Sequence, residues 1–153
     1  MATPTPFSDS LLHRCTVDDL DLILSAPHLF DDEPTADLTR VFLAKPGNHL
    51  LLALVDGSPV GFVSGIEITH PDKEPEMLLY ELGVDESHRR EGHGKELVLG
   101  LAAVAQERSC RGMWVPVDPD NRAAIATYRS AGADEEHSLI MSWNFPPPRA
   151  GAA

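Results

Sequence analysis

Apolar and polar positions along this chain switch repeatedly between a period of two and a period of about 3.6. Residues 11–16 read as a short strand. Over 17–26, Val17, Leu20, Ile23 and Leu24 fall at helical spacing, with Thr16 as N-cap and Asp18 and Asp19 in the first turn, where the helix dipole favours acids. Pro27 ends that helix, and a loop with three consecutive acids, Asp31, Asp32 and Glu33, follows. A second helix over 34–45 presents Leu38, Val41 and Phe42 on one face and stops at Pro46-Gly47. Apolar strands at 49–55 and 60–68 flank Asp56-Gly57-Ser58-Pro59, a hairpin signal in which Pro59 predicts a loop longer than two residues. After a polar loop at 69–75, the run at 77–84 reads as a buried central strand. The helix at 94–108 carries Leu97, Val98, Leu101, Val104 and Ala105 as its core stripe. A strand at 112–117, a turn at 118–120, a helix from Asn121 to about 131 ended by Gly132, and a last strand at 138–145 complete the pattern. No internal repeat is visible.

The length of 153 residues suits one domain with a real core, and 42% hydrophobic with 24% charged residues is ordinary for a globular chain. The domain is expected over 11–145, with a disordered segment at 1–10 and a flexible tail at 146–153. A net charge of −12 argues against nucleic acid or an anionic membrane as partner and favours a cationic small molecule. Cys15 and Cys110 have no metal-type spacing, and no metal site is expected. Neither a leader-like segment at 1–10 nor an apolar run of membrane-spanning length is present in the sequence, so the expected compartment is the cytoplasm.

The concentrated chemistry lies at the end of the central strand. Leu82-Gly83-Val84 leads into His88-Arg89-Arg90-Glu91-Gly92-His93-Gly94-Lys95 and the helix start. Free N–H groups of a first helical turn, the helix dipole and glycines without a Cβ together favour an anion. Arg89, Arg90 and Lys95 add cations, and arginine grips phosphate with two parallel hydrogen bonds. A dinucleotide-binding turn is the rival, but Leu97 stands where its third glycine belongs and too little chain follows for further βα repeats.

Arg89-Arg90-Glu91-Gly92-His93-Gly94 resembles motif A of the GNAT superfamily of N-acetyltransferases, Arg/Gln-x-x-Gly-x-Gly/Ala. The run from Asn121 through Ala124 and Tyr128 to Gly132 resembles that family's second block, and the element order β-α-α-β-β-β-α-β-α-β is similar over 11–145. The resemblance implies an α/β (α+β) GNAT fold with a mixed, mostly antiparallel central sheet flanked by helices. It implies acetyl-CoA as cofactor, held by Leu82, Gly83 and Val84 along the pantetheine, by 89–95 at the pyrophosphate, and by Asn121.

Attack of an amine on a thioester needs a base for the ammonium proton and an acid for the thiolate. Glu81, an acid inside an apolar strand, is the expected base, ahead of His88 and His93, which read as turn residues. The resemblance places Tyr128 as the acid. Within the superfamily, Phe30-Asp31-Asp32, Tyr80-Glu81-Leu82-Gly83-Val84 and Glu135-Glu136 resemble the small aminoglycoside 3-N-acetyltransferases, although Glu81 stands where that group usually has aspartate. That likeness implies an acceptor site made of Asp31, Asp32, Glu33, Tyr80, Glu135 and Glu136. Another small amine, an amino acid or a protein amine is an alternative acceptor, and a non-catalytic acyl-CoA-binding module is an alternative role. By analogy, Leu139-Ile140-Met141 would lie at the seam of a homodimer.

Overall fold

A computed structural model describes residues 11–148 and Gly151. The expected disorder at 1–10 lies outside them, as do residues 149, 150, 152 and 153 of the expected tail. The chain runs β1 (Leu11–Arg14), a 3₁₀ turn (Val17–Asp19), α1 (Leu20–Leu24), a second 3₁₀ turn (Pro27–Leu29) and α2 (Ala36–Ala44). There follow β2 (Asn48–Val55), β3 (Ser58–Ile68), β4 (Glu76–Val84), a 3₁₀ turn (Glu86–His88), α3 (His93–Glu107), β5 (Met113–Trp114) and α4 (Arg122–Ser130). The five strands form one sheet in the order β1-β2-β3-β4-β5, antiparallel except for the parallel pair β4–β5.

Alternation on β2 divides the core into two layers. Leu51 and Ala53 join Val63, Met77, Leu79 and the α3 stripe on one face, whereas Leu50 and Leu52 join Cys15, Ile23, Ala26, Leu29 and Phe62 on the other. All five residues expected on the α3 stripe are buried. Thr16 closes the first helical segment with a capping box, its hydroxyl accepting from Asp18 N while Asp19 accepts from Thr16 N at 2.7 Å.

Four expectations are corrected. The α2 face is set by Thr39, Phe42 and Leu43, and Leu38 and Val41 point to solvent. The hairpin loop is two residues long, because Asp56 and Gly57 both take positive φ (49° and 77°) and pair Val55 with Ser58. Pro59 is accommodated by a bulge between Ala53 and Leu54, where the missing N–H costs no ladder bond. The strand expected at 112–117 is only Met113–Trp114, since Pro116 has no N–H for a ladder. The strand expected at 138–145 is not formed; that segment is exposed coil, with no partner strand for its backbone among the described residues.

The C-terminal end of α3 is tied to the sheet by a shielded ion cluster. Glu67 accepts from His49 Nε2 at 2.8 Å and from Arg108 Nε at 3.1 Å, and the Glu67 and His49 side chains are 7% and 5% exposed. His49 Nδ1 faces Arg14 Nη2, a pure donor, at 3.4 Å, so Nε2 carries the proton given to Glu67. Burial alone would raise the Glu67 pKa, but hydrogen bonds from His49 and Arg108 and the charge of Arg108 outweigh it and hold the carboxyl below its usual range. Its contribution to stability is therefore present above the unfolded-state pKa and is lost as pH falls through the lowered one. Glu67→Ala is expected to destabilise the fold by about 3 kcal/mol at neutral pH, by leaving His49 and Arg108 uncompensated. Urea unfolding of the two proteins at pH 7 measures it, and the gap should narrow at acid pH.

Candidate active site

Two irregularities of β4 create the site. Along β3, Gly65 opposes Leu79 but Ser64 opposes Glu81, so Tyr80 is an extra residue in β4. Without that bulge, Glu81 would share the side of Met77 and Leu79 and point into the core under α3. The bulge turns it to the opposite face, where it lines a cleft of about 220 Å³ with Leu29, Asp31, Phe62, Tyr80 and Leu82. Shielding by the cleft walls, and then the charge of Asp31, push the Glu81 carboxyl above its ordinary pKa. Ser64 lies buried directly across the ladder from Glu81, and its hydroxyl has no protein partner.

The second irregularity is the parting of β4 from β5. The two strands pair only at Met77–Met113 and Leu78–Trp114. Beyond that point no strand covers the edge of β4 from Leu79 to Val84 among the described residues, so its peptide groups are available to a ligand with amides of its own. The open edge runs into the glycine turn. Arg90 and Gly92 adopt positive φ (63° and 89°), and Gly92 caps α3 without a side-chain hydrogen bond, at a helix start whose dipole favours an anion. Arg89, Arg90 and Lys95 are exposed around the turn, and Arg89 Nε donates to the Val84 carbonyl at 3.4 Å. The Glu91 carboxylate holds the ring of His93, which is buried, at 2.9 Å.

The two turn glycines serve different ends. Gly92 is needed for its backbone conformation, whereas a Cβ at Gly94 would lie 3.2 Å from Thr127 Cγ2, so that position sets the approach of α3 and α4. On α4, the Asn121 side chain accepts from Ala124 N at 3.2 Å as cap. Tyr128 is half-buried against the same core layer as Leu82 and Val84, and burial raises its hydroxyl pKa, so it holds its proton at neutral pH.

The acidic residues do not converge. Asp31 meets Glu81 and Tyr80 in the cleft, while Asp32 and Glu33 are exposed on the loop without lining it. Glu135 lines a separate hollow beside α4, where it pairs with Arg129 and His137, and Glu136 is exposed beyond it. Leu29 and Phe62 are cleft residues that the sequence reading missed. The signal was Gly83: a Cβ there would lie 2.6 Å from the Leu29 carbonyl oxygen and 2.8 Å from the Phe62 ring, and an isolated strand glycine marks such close backbone approach. His13, Cys15 and Asp19 are the one metal-type cluster among the described residues. Asp19 accepts from Thr16 N and lies 2.9 Å from His13 Nε2, and burial, followed by Asp19, pushes the Cys15 thiol up to about 12.

Comparison with known proteins settles the family. The profile of the acetyltransferase (GNAT) family matches residues 17–133. The chain belongs to the GNAT family. GNAT acetyltransferases use acetyl-CoA, and the open β4 edge followed by a cationic, glycine-bearing helix start fits that cofactor's amides and phosphates. Among curated relatives, the chain is 28% identical to human N-acetyltransferase 8 over 98 residues, covering 63% of this GNAT chain and 43% of the relative. It is 36% identical to L-2,4-diaminobutyric acid acetyltransferase of Streptomyces coelicolor over 75 residues, 48% of this chain and 43% of that one. These matches thus span less than half the length of either relative.

Solved structures confirm the fold. An aminoglycoside acetyltransferase from an uncultured soil metagenomic sample, in complex with sisomicin, superposes with a TM-score of 0.83 at 20% identity, covering 90% of this chain and 97% of the other. The aminoglycoside N-acetyltransferase AAC(6')-Iy in complex with CoA gives 0.73 at 20% identity, covering 94% and 99%. No helix among the described residues of this GNAT protein is long and apolar enough to cross a membrane. Gly83→Ala is expected to push the Leu29 segment off β4, costing about 1–3 kcal/mol; urea unfolding against the parent protein measures the loss.

Proposed function

We propose that this GNAT protein is an acetyl-CoA-dependent N-acetyltransferase of aminoglycosides, working in the cytoplasm and modifying the 3-amino group by direct attack in a ternary complex. The observation that carries this reading is the bulge-directed Glu81, placed beside Asp31 in a cleft next to the open edge of β4. Two carboxylates in one cleft attract a polycationic amine, and the one with the raised pKa is suited to take an ammonium proton near neutrality. Acetyl-CoA, when bound, supplies an acetyl group activated as a thioester. Backbone of Leu82, Gly83 and Val84 would hold its pantetheine, and Arg89, Arg90, Gly92, Gly94 and Lys95 its pyrophosphate. Asn121 would add a further contact from the start of α4.

Glu81 Oε takes the proton from the acceptor ammonium, and the protonated Tyr128 hydroxyl is the donor available for the leaving sulfur. Asp31, with Tyr80 as the wall, would orient the acceptor, and Asp32, Glu33, Glu135 and Glu136 would supply a wider negative field that draws it in. Position 3 follows the motif likeness around Glu81. The solved neighbour AAC(6')-Iy supports position 6' as a second reading. Two free thiols, Cys15 and Cys110, are consistent with a reducing compartment.

The deciding experiment measures thiol release from acetyl-CoA with gentamicin, sisomicin, kanamycin, spermidine, lysine and diaminobutyrate as acceptors. Fast turnover confined to the aminoglycosides, with NMR placing the acetyl on N3, is the expected outcome. Acetylation at N6' would move the regiochemistry, and turnover on a linear amine or amino acid alone would discard the aminoglycoside reading. Binding of acetyl-CoA with no turnover on any amine would make the chain a binding module.

The base assignment has its own signature. Deprotonated Glu81 is the active form, so kcat/KM should rise with pH through a pKa above the usual carboxylate range. Asp31→Asn removes the neighbouring charge that helps raise it and is expected to move this acidic limb to lower pH. A limb that stays in place would separate Asp31 from Glu81.

A further inference from the structure

His13, Cys15 and Asp19 form a His-x-Cys-x-x-x-Asp set that the acetyl-transfer reading leaves unused. β1 brings the first two together, because residues two apart on a strand share a face. His13 pairs with Leu52, and Cys15 N donates to the Leu50 carbonyl at 2.9 Å. Their face is that of the Ile23, Leu50 and Leu52 layer, in which Cys15 is buried. The capping box then folds the chain back over it. Asp19 Oδ2 accepts from Thr16 N at 2.7 Å, which leaves Oδ1 at 2.9 Å from His13 Nε2.

Three donors of different chemistry, an imidazole nitrogen, a sulfur and a carboxylate oxygen, thus lie within 4.8 Å of one another. Two features set them apart from an ordinary ion pair. The approach of His13 Nε2 to Asp19 lies off the line of a hydrogen bond, so this buried nitrogen has no hydrogen-bond partner, a costly state for a shielded polar atom. The other six histidines each face a carboxylate as well. Yet among the described residues only at His13 does a cysteine sulfur complete a group with metal-ligand spacing. A tetrahedral zinc, with bonds of about 2.0 Å to nitrogen and oxygen and about 2.3 Å to sulfur, holds its donors roughly 3.3–3.6 Å apart. The set needs to draw in by about an ångström at most, a shift that side-chain torsions supply. The His13 and Asp19 side chains are 38% and 21% exposed, which gives an ion a way in and room for a water beside it.

We propose that His13, Cys15 and Asp19 bind one zinc-class divalent metal ion, with solvent as the fourth ligand. Thiolate, imidazole and carboxylate together suit zinc and disfavour magnesium and calcium, which seek oxygen ligands alone. Coordination replaces the S–H bond of Cys15 by a metal–sulfur bond, and the proton leaves to water. The Thr16 N–H behind Asp19 Oδ2 keeps the carboxylate oriented toward the ion. The ion would pin the end of β1 to the turn that opens the segment running on to Leu29 and Asp31 of the cleft. The spacing of the two cysteines does not reveal the site, because its ligands come from a strand and the turn that follows. It needs neither acetyl-CoA nor an acceptor amine.

Equilibrium dialysis of the full chain against zinc, with a phosphine reductant keeping the thiols free, tests this beside thermal unfolding. The parent is expected to retain one equivalent and to gain Tm with added zinc, because a ligand of the folded state stabilises it. Cobalt in place of zinc should show thiolate-to-metal charge-transfer absorption. His13→Gln and Cys15→Ser are each expected to weaken binding by about a hundredfold or more, since even an outer-shell partner is worth about 10–100-fold. Cys15→Ser should also abolish the absorption. A parent that retains no zinc overturns the site, as do folded variants that bind zinc as the parent does. Should Cys15→Ser fail to fold, His13→Gln and Asp19→Asn, at partly exposed positions, decide in its place. Loss of binding in both supports the site, and retention in either overturns it.

Discussion

The site depends on the backbone of β4 breaking its regular pairing twice. The extra residue at Tyr80 reverses which face each later side chain takes, so Glu81 leaves the core while Leu82 and Val84 enter it. The early end of the β4–β5 ladder, enforced by Pro116, leaves polar peptide groups uncovered along the next stretch. Neither is tolerated for free: a bulge loses a ladder position and an open edge exposes unpaired donors and acceptors. Both fall within a few residues of each other, which sets an acid and a row of backbone hydrogen-bonding groups on adjoining surfaces.

Charge is distributed to match. An overall charge of −12 would repel a polyphosphate; the cations Arg89, Arg90 and Lys95 are gathered around one helix start, where the dipole reinforces them. The acids Asp31 and Glu81 occupy the cleft on the other side of the strand, along which a cofactor would lie. An acceptor amine and an anionic cofactor would thus be drawn to opposite ends of one short path. The surrounding negative field costs cofactor binding little, because the Debye length at physiological salt is only about 8 Å.

Much of this was legible in the residues. The α3 stripe, the Thr16 and Asn121 caps and the glycine turn follow from local rules that tertiary context did not override. What the sequence concealed was relational. Pattern alone places Glu81 on the inward side of β4, and only the register against β3 shows the bulge that turns it out. Leu29 reaches the cleft because Gly83 admits its carbonyl, a contact between segments more than fifty positions apart in the chain. The acids at 135 and 136 looked like part of the acceptor site because charge clusters carry no address; the fold puts Glu135 beside α4, where Arg129 holds it.

The strand expected at 138–145 teaches a related lesson. A β pattern records which face is to be buried but not against what, since the partner of a strand is never encoded locally. Among the described residues this sheet leaves three edges without a partner strand, and each is handled differently. The outer edge of β1 is only four residues long and carries Arg14, a charge that discourages pairing. The open stretch of β4 is suited to a ligand with amides of its own. The outer edge of β5 is shorter still, because Pro116 stops it, but its Trp114 is apolar and 46% exposed. The alternating segment at 138–145 finds no partner strand among the described residues, so its face was legible in the sequence and its pairing was not.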